Sequence, residues 1–106
     1  MYGMRVEYPR TEGSKFDMDY YRDSHIPLCE RLLADFGHVG TVLHLGAGKA
    51  PGGEDLLWAS VDILFEDIDQ LKAGLAAAGK EIGADVPNYT DVTPRMSFSE
   101  VRLKLE

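Results

Sequence analysis

The stretch Phe16-Asp-Met-Asp-Tyr-Tyr-Arg-Asp-Ser-His-Ile-Pro-Leu-Cys-Glu-Arg-Leu-Leu33 is the part around which the rest of the chain is organised. Its apolar residues recur with the period of a helix. With His25 as angular origin and about 100° per residue, Met18, Tyr21, Leu28, Cys29, Leu32 and Phe36 all fall within about 60° of it. An imidazole therefore occupies the middle of an apolar stripe, where a leucine is the ordinary choice. Two residues on, Pro27 removes a helix donor and crowds the carbonyl of Asp23, at a cost of roughly 3 kcal/mol in a regular helix. An ionisable group on the core face, beside a backbone defect, marks a candidate functional site.

The borders of this helix are legible as well. Asp17 fits an N-cap, with Phe16 and Tyr21 spaced to form a hydrophobic staple. Asp17 and Asp19 suit the positive end of the helix dipole. Gly37, after Phe36, suits the left-handed C-terminal position. Upstream, residues 2–8 alternate Tyr2, Met4, Val6 and Tyr8 with Gly3, Arg5 and Glu7, which predicts a strand followed by a loop at 9–15.

Downstream, residues 38–48 predict a second strand. Val39, Thr41, Leu43 and Leu45 share one of its faces, and His38, Gly40, Val42 and His44 the other. A turn at 49–55 leads into an antiparallel third strand at 56–65. Leu57, Ala59, Val61, Ile63 and Phe65 form its apolar face; Leu56, Trp58, Ser60, Asp62 and Leu64 form a mixed one. A second helix follows at 68–82, opened by a capping box of Asp67 and Gln70 and weakened by Gly74 and Gly79. A long connection at 83–94 precedes a last strand at 95–105. The order βαββαβ, without repeat or linker, predicts an α+β ferredoxin-like sandwich with both helices on one face of a four-stranded antiparallel sheet.

At 106 residues the chain is expected to be a single domain spanning 1–106. With 44% hydrophobic and 27% charged residues, its composition is that of a globular protein. A net charge of −7 argues against nucleic acid and against an anionic membrane surface as partners. No apolar run approaches the roughly 18–20 residues that span a bilayer. The first residues have neither a basic region nor a long apolar run, so no signal peptide is expected and a cytoplasmic location is the default. The lone cysteine, Cys29, reads as a small buried hydrophobe.

The second face of the sheet is expected to need a cover. Val42, Leu56, Trp58 and Leu64 make it too apolar for water, while His38, His44 and Asp62 make it too polar for a dry core. A second copy of the chain, packed sheet against sheet as a homodimer, answers both.

His38 and His44 lie six residues apart on one strand, roughly 20 Å, and cannot share a metal. No ligand spacing suggests a metal site, and no cofactor is expected. Gly46-Ala-Gly-Lys49 fails as a nucleotide motif: Leu43 stands where a P-loop needs its first glycine, Lys49 is followed by Ala50, and Pro51 stands where the dinucleotide fingerprint needs its last.

The pattern Tyr8-Pro9, then Phe16-Asp17-Met18-Asp19-Tyr20-Tyr21, then His25-Ile26-Pro27-Leu28 resembles the EthD family of small dimeric α+β barrel proteins. Asp85-Val-Pro-Asn-Tyr-Thr-Asp91, leading to Pro94 and a final strand, is similar to that family's C-terminal signature. The resemblance implies the ferredoxin-like fold and the sheet-to-sheet homodimer. Similar barrels include lactone isomerases, polyketide cyclases and dehydratases, and cofactor-independent monooxygenases. Several of them place a histidine of the first helix in a pocket between helices and sheet, the position of His25 here.

Two readings of His25 stand side by side, a core histidine with one hydrogen bond and a functional group. An imidazole in an apolar pocket resists charging, stays neutral near pH 7, and can act as a base or donate N–H to a substrate oxygen. Tyr21, one turn earlier on the same face, can orient the ring or offer its own O–H. His25 and Tyr21 are the candidate catalytic pair. Asn88, Tyr89 and Asp91, in the loop before the last strand, are candidate substrate contacts, although turn chemistry alone explains Asn and Asp there. Thr41 and Leu28 complete the candidate substrate set. The function expected is a cofactor-independent isomerase, dehydratase or cyclase acting on a small apolar or aromatic oxygenated molecule. The alternatives are a ligand-binding or accessory protein of an oxidative degradation pathway, and an oxygen-using monooxygenase of the same barrel class.

Overall fold

A computed structural model describes residues 1–46, 51–53 and 56–105. Strand β1 (Tyr2–Pro9) leads into α1 (Met18–Tyr20), a π-helical turn at Tyr21–His25 and α2 (Ile26–Leu33), which follow one another without a break. Strands β2 (His38–Leu45) and β3 (Leu57–Phe65) come next. Helix α3 (Ile68–Asp85) then runs into a 3-10 turn at Val86–Asn88, and β4 (Arg95–Glu100) ends the sheet. The sheet is antiparallel in the order β2-β3-β1-β4, with β1 between β3 and β4. This is the expected α+β ferredoxin-like arrangement. The turn expected at 49–55 and the end of the strand expected to reach 48 lie mostly outside the described residues.

The core forms where the apolar face of β1 (Met4, Val6, Tyr8) and that of β3 (Ala59, Val61, Ile63, Phe65) meet the helices through Tyr21, Cys29, Leu33, Leu71 and Ala78. Gly74 sets the approach of α3 to the first helical rod: a Cβ there would lie 3.1 Å from Leu33 Cδ2 and from Phe36 Cβ. Both helix starts are capped as the sequence indicates. Asp17 accepts from the Tyr20 amide at 3.1 Å and Asp67 from the Gln70 amide at 2.8 Å. The capping box is only half made, because the Gln70 side chain turns toward Gly37 and its Oε1 is buried without a partner among the described residues. Phe16 and Tyr21 meet edge to face at 5.0 Å, and Gly37 takes φ +70° after the helix.

Pro27 shapes the first rod. It has no N–H to give the Asp23 carbonyl, and the turn before it widens: the Ile26 amide bonds Tyr21 O, five residues back. Pro27 itself lies in the first turn of α2, where a missing donor costs least. The expected regular helix is thus a helix with a five-residue π turn that ends at His25.

Two departures from strict alternation move side chains between faces, and a third difference shortens the last strand. The β2–β3 ladder pairs His38 with Phe65 and Gly40 with Leu64, so Val39 is an extra residue. His38 consequently points to the helix side, 6.2 Å from the Phe65 ring and 3.0 Å from Thr41 Oγ1, not to the side of Val42 and His44. A second irregularity, opposite Tyr8 and Pro9, releases Trp58 from the mixed face. Its ring stacks on Phe16 at 6.0 Å, its Nε1 donates to Ser14 Oγ at 2.9 Å, and the Arg10 guanidinium lies 4.1 Å above it.

The third difference is that β4 stops at Glu100 instead of running to 105. The Val101 amide bonds Met1 O, and Val101 packs with Leu64 over Gly3, where a Cβ would lie 2.9 Å from Val101 Cγ2. The open face of the sheet therefore differs from the expected one: Trp58 and His38 both leave it, and Val101 joins Leu64 on it. Its centre is Arg5, Asp62 and His44, linked by hydrogen bonds.

Candidate functional site

The π turn delivers His25 to a cavity of about 100 Å³ between the helices and the sheet. Met4, Val6 and Tyr8 of β1 form part of its floor, with Val61 and Ile63 of β3. Leu75, Gly79, Ile82 and Gly83 of α3 form a wall, and Pro94 and Met96 sit at the β4 end. His25, Cys29 and Tyr8 are the lining residues that carry polar side-chain atoms; the other side chains of the lining are apolar.

His25 is 3% exposed, and its Nδ1 lies 2.9 Å from Asp85 Oδ2. Asp85 is the last residue of α3, and its Oδ1 accepts from Tyr20 Oη at 2.7 Å and Asn88 Nδ2 at 2.9 Å. Burial works against the Asp85 charge, but the hydrogen bonds from His25, Tyr20 and Asn88 outweigh it and hold the carboxyl below its usual range. An ionised carboxylate only accepts, so the Nδ1 of His25 carries the proton and Nε2 keeps its lone pair. Burial pushes the imidazole's pKa down, and the neighbouring carboxylate only partly restores it. The ring is neutral at pH 7, with a basic nitrogen on the side of Cys29, whose Sγ lies 3.5 Å away. Burial, with Asp85 adding to it, pushes the Cys29 thiol up to about 12, so Cys29 is a weak donor to Nε2 and no nucleophile.

An aromatic cluster fixes the ring. Tyr89 packs on His25 at 4.5 Å and Tyr21 stacks on it at 5.9 Å. Tyr8 and Tyr89 share a hydroxyl–hydroxyl bond of 2.5 Å, and burial pushes the Tyr8 phenol up to about 12. Tyr21 is fully buried, its hydroxyl has no partner among the described residues, and it is absent from the cavity wall. Burial raises its pKa far above the ordinary tyrosine range.

Of the residues singled out from sequence, His25, Tyr21, Asn88 and Tyr89 come together here, Asn88 through Asp85. Asp91 lies apart and accepts the Lys15 amide at 2.8 Å. Thr41 belongs to a different neighbourhood, with Glu30 at 3.3 Å and His38 at 3.0 Å. Leu28 is half-buried on α2 and does not line the cavity. Asp85 is the residue that sequence reading missed as a site member. The signal was its place at the head of the Asp85–Asp91 run, but only the fold shows which side chain it faces. Among the described residues no three His, Cys, Asp or Glu side chains gather as a metal-binding group, and no helix is long and apolar enough to cross a membrane.

No family model matches the chain. Over 108 aligned residues, 92% of this chain, it is 48% identical to a segment of pyochelin synthetase PchE from Pseudomonas aeruginosa. The chain spans 7% of the length of that protein. An EthD-like protein from Ralstonia eutropha JMP134 superposes with a TM-score of 0.86 at 31% identity, covering 98% of this chain and 94% of the other. An ethyl tert-butyl ether degradation (EthD) family protein from Bacillus halodurans C-125 gives 0.74 at 19% identity over 96% and 99% of the two chains. SnoaB, a cofactor-independent oxygenase from Streptomyces nogalater, gives 0.51 at 14% identity over 98% and 94%. The last two likenesses show a shared fold. With identity above the level at which families merge, over nearly the whole of both chains and with the same fold, this protein belongs to the EthD family.

Proposed function

We propose that this chain is a cofactor-independent enzyme that moves a proton on a small apolar oxygenated molecule, as an isomerase, dehydratase or cyclase does. The observation that carries this reading is a neutral, buried imidazole that lines an apolar cavity, with Nδ1 fixed by Asp85 and Nε2 beside Cys29, another residue of the lining. Nε2 takes a proton from a C–H or O–H acid of the substrate, the imidazolium that forms is stabilised by the Asp85 carboxylate 2.9 Å away, and the same nitrogen returns the proton at another substrate atom. Tyr21, stacked on the ring, and Tyr89, tilted against it, hold the imidazole in place, and Asn88 holds Asp85. The 106 residues act as one domain, and a second copy covers the Arg5–Asp62–His44 face. A sedimentation mass near that of one 11.7 kDa chain at micromolar concentration overturns the dimer.

The likeness to SnoaB supports chemistry without a cofactor on this fold, and the likeness to a segment of a synthetase supports a biosynthetic intermediate as readily as a degradation product. One observation favours the alternative of a binding or accessory protein. Among the described residues Cys29 is the side chain within hydrogen-bond distance of the His25 Nε2, and the Tyr8 hydroxyl at the cavity is engaged with Tyr89. Incubation with unsaturated lactones in D₂O separates the two. Enzyme-accelerated deuterium incorporation at the acidic carbon, lost in His25→Ala, supports catalysis; binding of the same lactones without exchange supports the binding protein.

A further inference from the structure

A cavity of about 100 Å³ leaves little room beside His25. Enclosing a benzene ring takes about 150 Å³. A substrate of ordinary size therefore keeps only a small head at Nε2, and the remainder must leave the cavity. The exit is marked by Gly83, Val86 and Pro94, which line both the cavity and a surface groove of about 410 Å³. That groove continues past Pro87, Thr90 and Asp91. Gly79, Ile82, Gly83 and Val86 share the helix face that borders the cavity, at the spacing i, i+3, i+4, i+7. Of these, Gly83 stands out: a Cβ built on it meets no heavy atom within 4 Å, so it opens on free space, and it is exposed where cavity meets groove. Glycine is a poor choice inside a helix unless the missing side chain is used.

We propose that Gly83 sets substrate length: its missing side chain lets the aliphatic tail of an elongated substrate pass from the His25 cavity into the groove along Val86–Pro94. The tail is aliphatic because the groove along Val86–Pro94 is mostly apolar, and Asp91 together with the net charge of −7 disfavours an anionic end. This inference rests on His25 as the head-binding group, and its test keeps the two apart.

Straight-chain primary alcohols from propanol to octanol serve as probes, because their O–H donates to Nε2. Binding is measured by calorimetry while the His25 Nε2 resonance is followed by NMR. In the wild type every alcohol moves the resonance, and affinity tightens about twofold to fourfold with each methylene that enters the groove. In Gly83→Leu, propanol still moves the resonance but the gain with chain length disappears; Gly83→Ala falls between. Leucine is a better helix former than glycine, and thermal unfolding confirms that the variant folds. Ala84→Leu, at the adjoining exposed position, keeps the wild-type dependence on length. A length dependence that survives in Gly83→Leu, or is missing from the wild type while propanol still moves His25, overturns the role of Gly83 and leaves the His25 site standing. Failure of every alcohol to move the His25 resonance in the wild type overturns the His25 reading and the role of Gly83 with it.

Discussion

His25 meets Asp85 at 2.9 Å, and His44 meets Asp62 at 3.3 Å. The residue types are the same and the surroundings are not. The His25 side chain is 3% exposed and that of His44 is 53%. Asp62 already holds the Arg5 guanidinium through bonds of 2.8 and 3.1 Å, which with the Arg5 charge keep its carboxyl below the usual range. A cation that is always present leaves this carboxylate little to offer a charge that comes and goes on a histidine. Asp85 accepts instead from the neutral groups of His25, Tyr20 and Asn88. Its charge is free to stabilise an imidazolium, in surroundings where water screens little. Pairing alone does not make a proton-transfer site. What sets His25 apart from His44 is desolvation of the base and, among the described residues, a carboxylate not already paired with a cation.

The largest break in this contrast is catalytic. His25→Ala should slow deuterium exchange into a bound lactone by on the order of 10² to 10⁴, the range of a lost general base, while His44→Ala leaves it unchanged. Isotope incorporation followed by mass spectrometry checks both.

Stability gives the next largest difference. Asp85→Ala removes the acceptor of three hydrogen bonds and leaves the buried Nδ1 of His25 without a partner, which should cost about 2–4 kcal/mol by urea denaturation. Asp62→Ala should cost less than about 1 kcal/mol, because the side chains of Arg5 and His44 are half exposed and regain water.

A smaller effect lies in pH. The folded pKa of His25 is below its unfolded value of 6.5, so under that pH the unfolded chain binds a proton that the folded chain refuses. Stability should fall as pH drops from 6.5 through the folded value, and His25→Leu should flatten that part of the denaturation profile. Asp85, held below its ordinary value of 3.8, adds a loss only at still more acid pH.

The smallest change tests the aromatic support. Tyr21→Phe removes a buried hydroxyl that has no partner among the described residues and keeps the stacked ring, so stability should hold or rise by up to about 1 kcal/mol. A clear loss on thermal unfolding would mean that this hydroxyl has a partner after all.

The sequence alone determined the order of the elements, the apolar faces of β1 and β3, the caps at Asp17 and Asp67, and the place of His25 on the buried stripe. These are local properties: period, capping chemistry and the missing donor of Pro27 act over a few residues and can be read there. The π turn is the local consequence that was half legible, since Pro27 announced a defect without saying that it would widen the turn ending at His25. The two irregularities in the sheet were not legible, because an extra residue at Val39 or Trp58 exists only relative to a partner strand. Alternation therefore put His38 and Trp58 on the wrong face. Only the tertiary structure decided that Asp85, 60 residues along the chain, meets His25, that Thr41 and Asp91 belong elsewhere, and that Gly83 stands between cavity and groove. Such pairings follow from packing α3 against the first helical rod over the sheet, and nothing in the local chemistry of either segment names its counterpart.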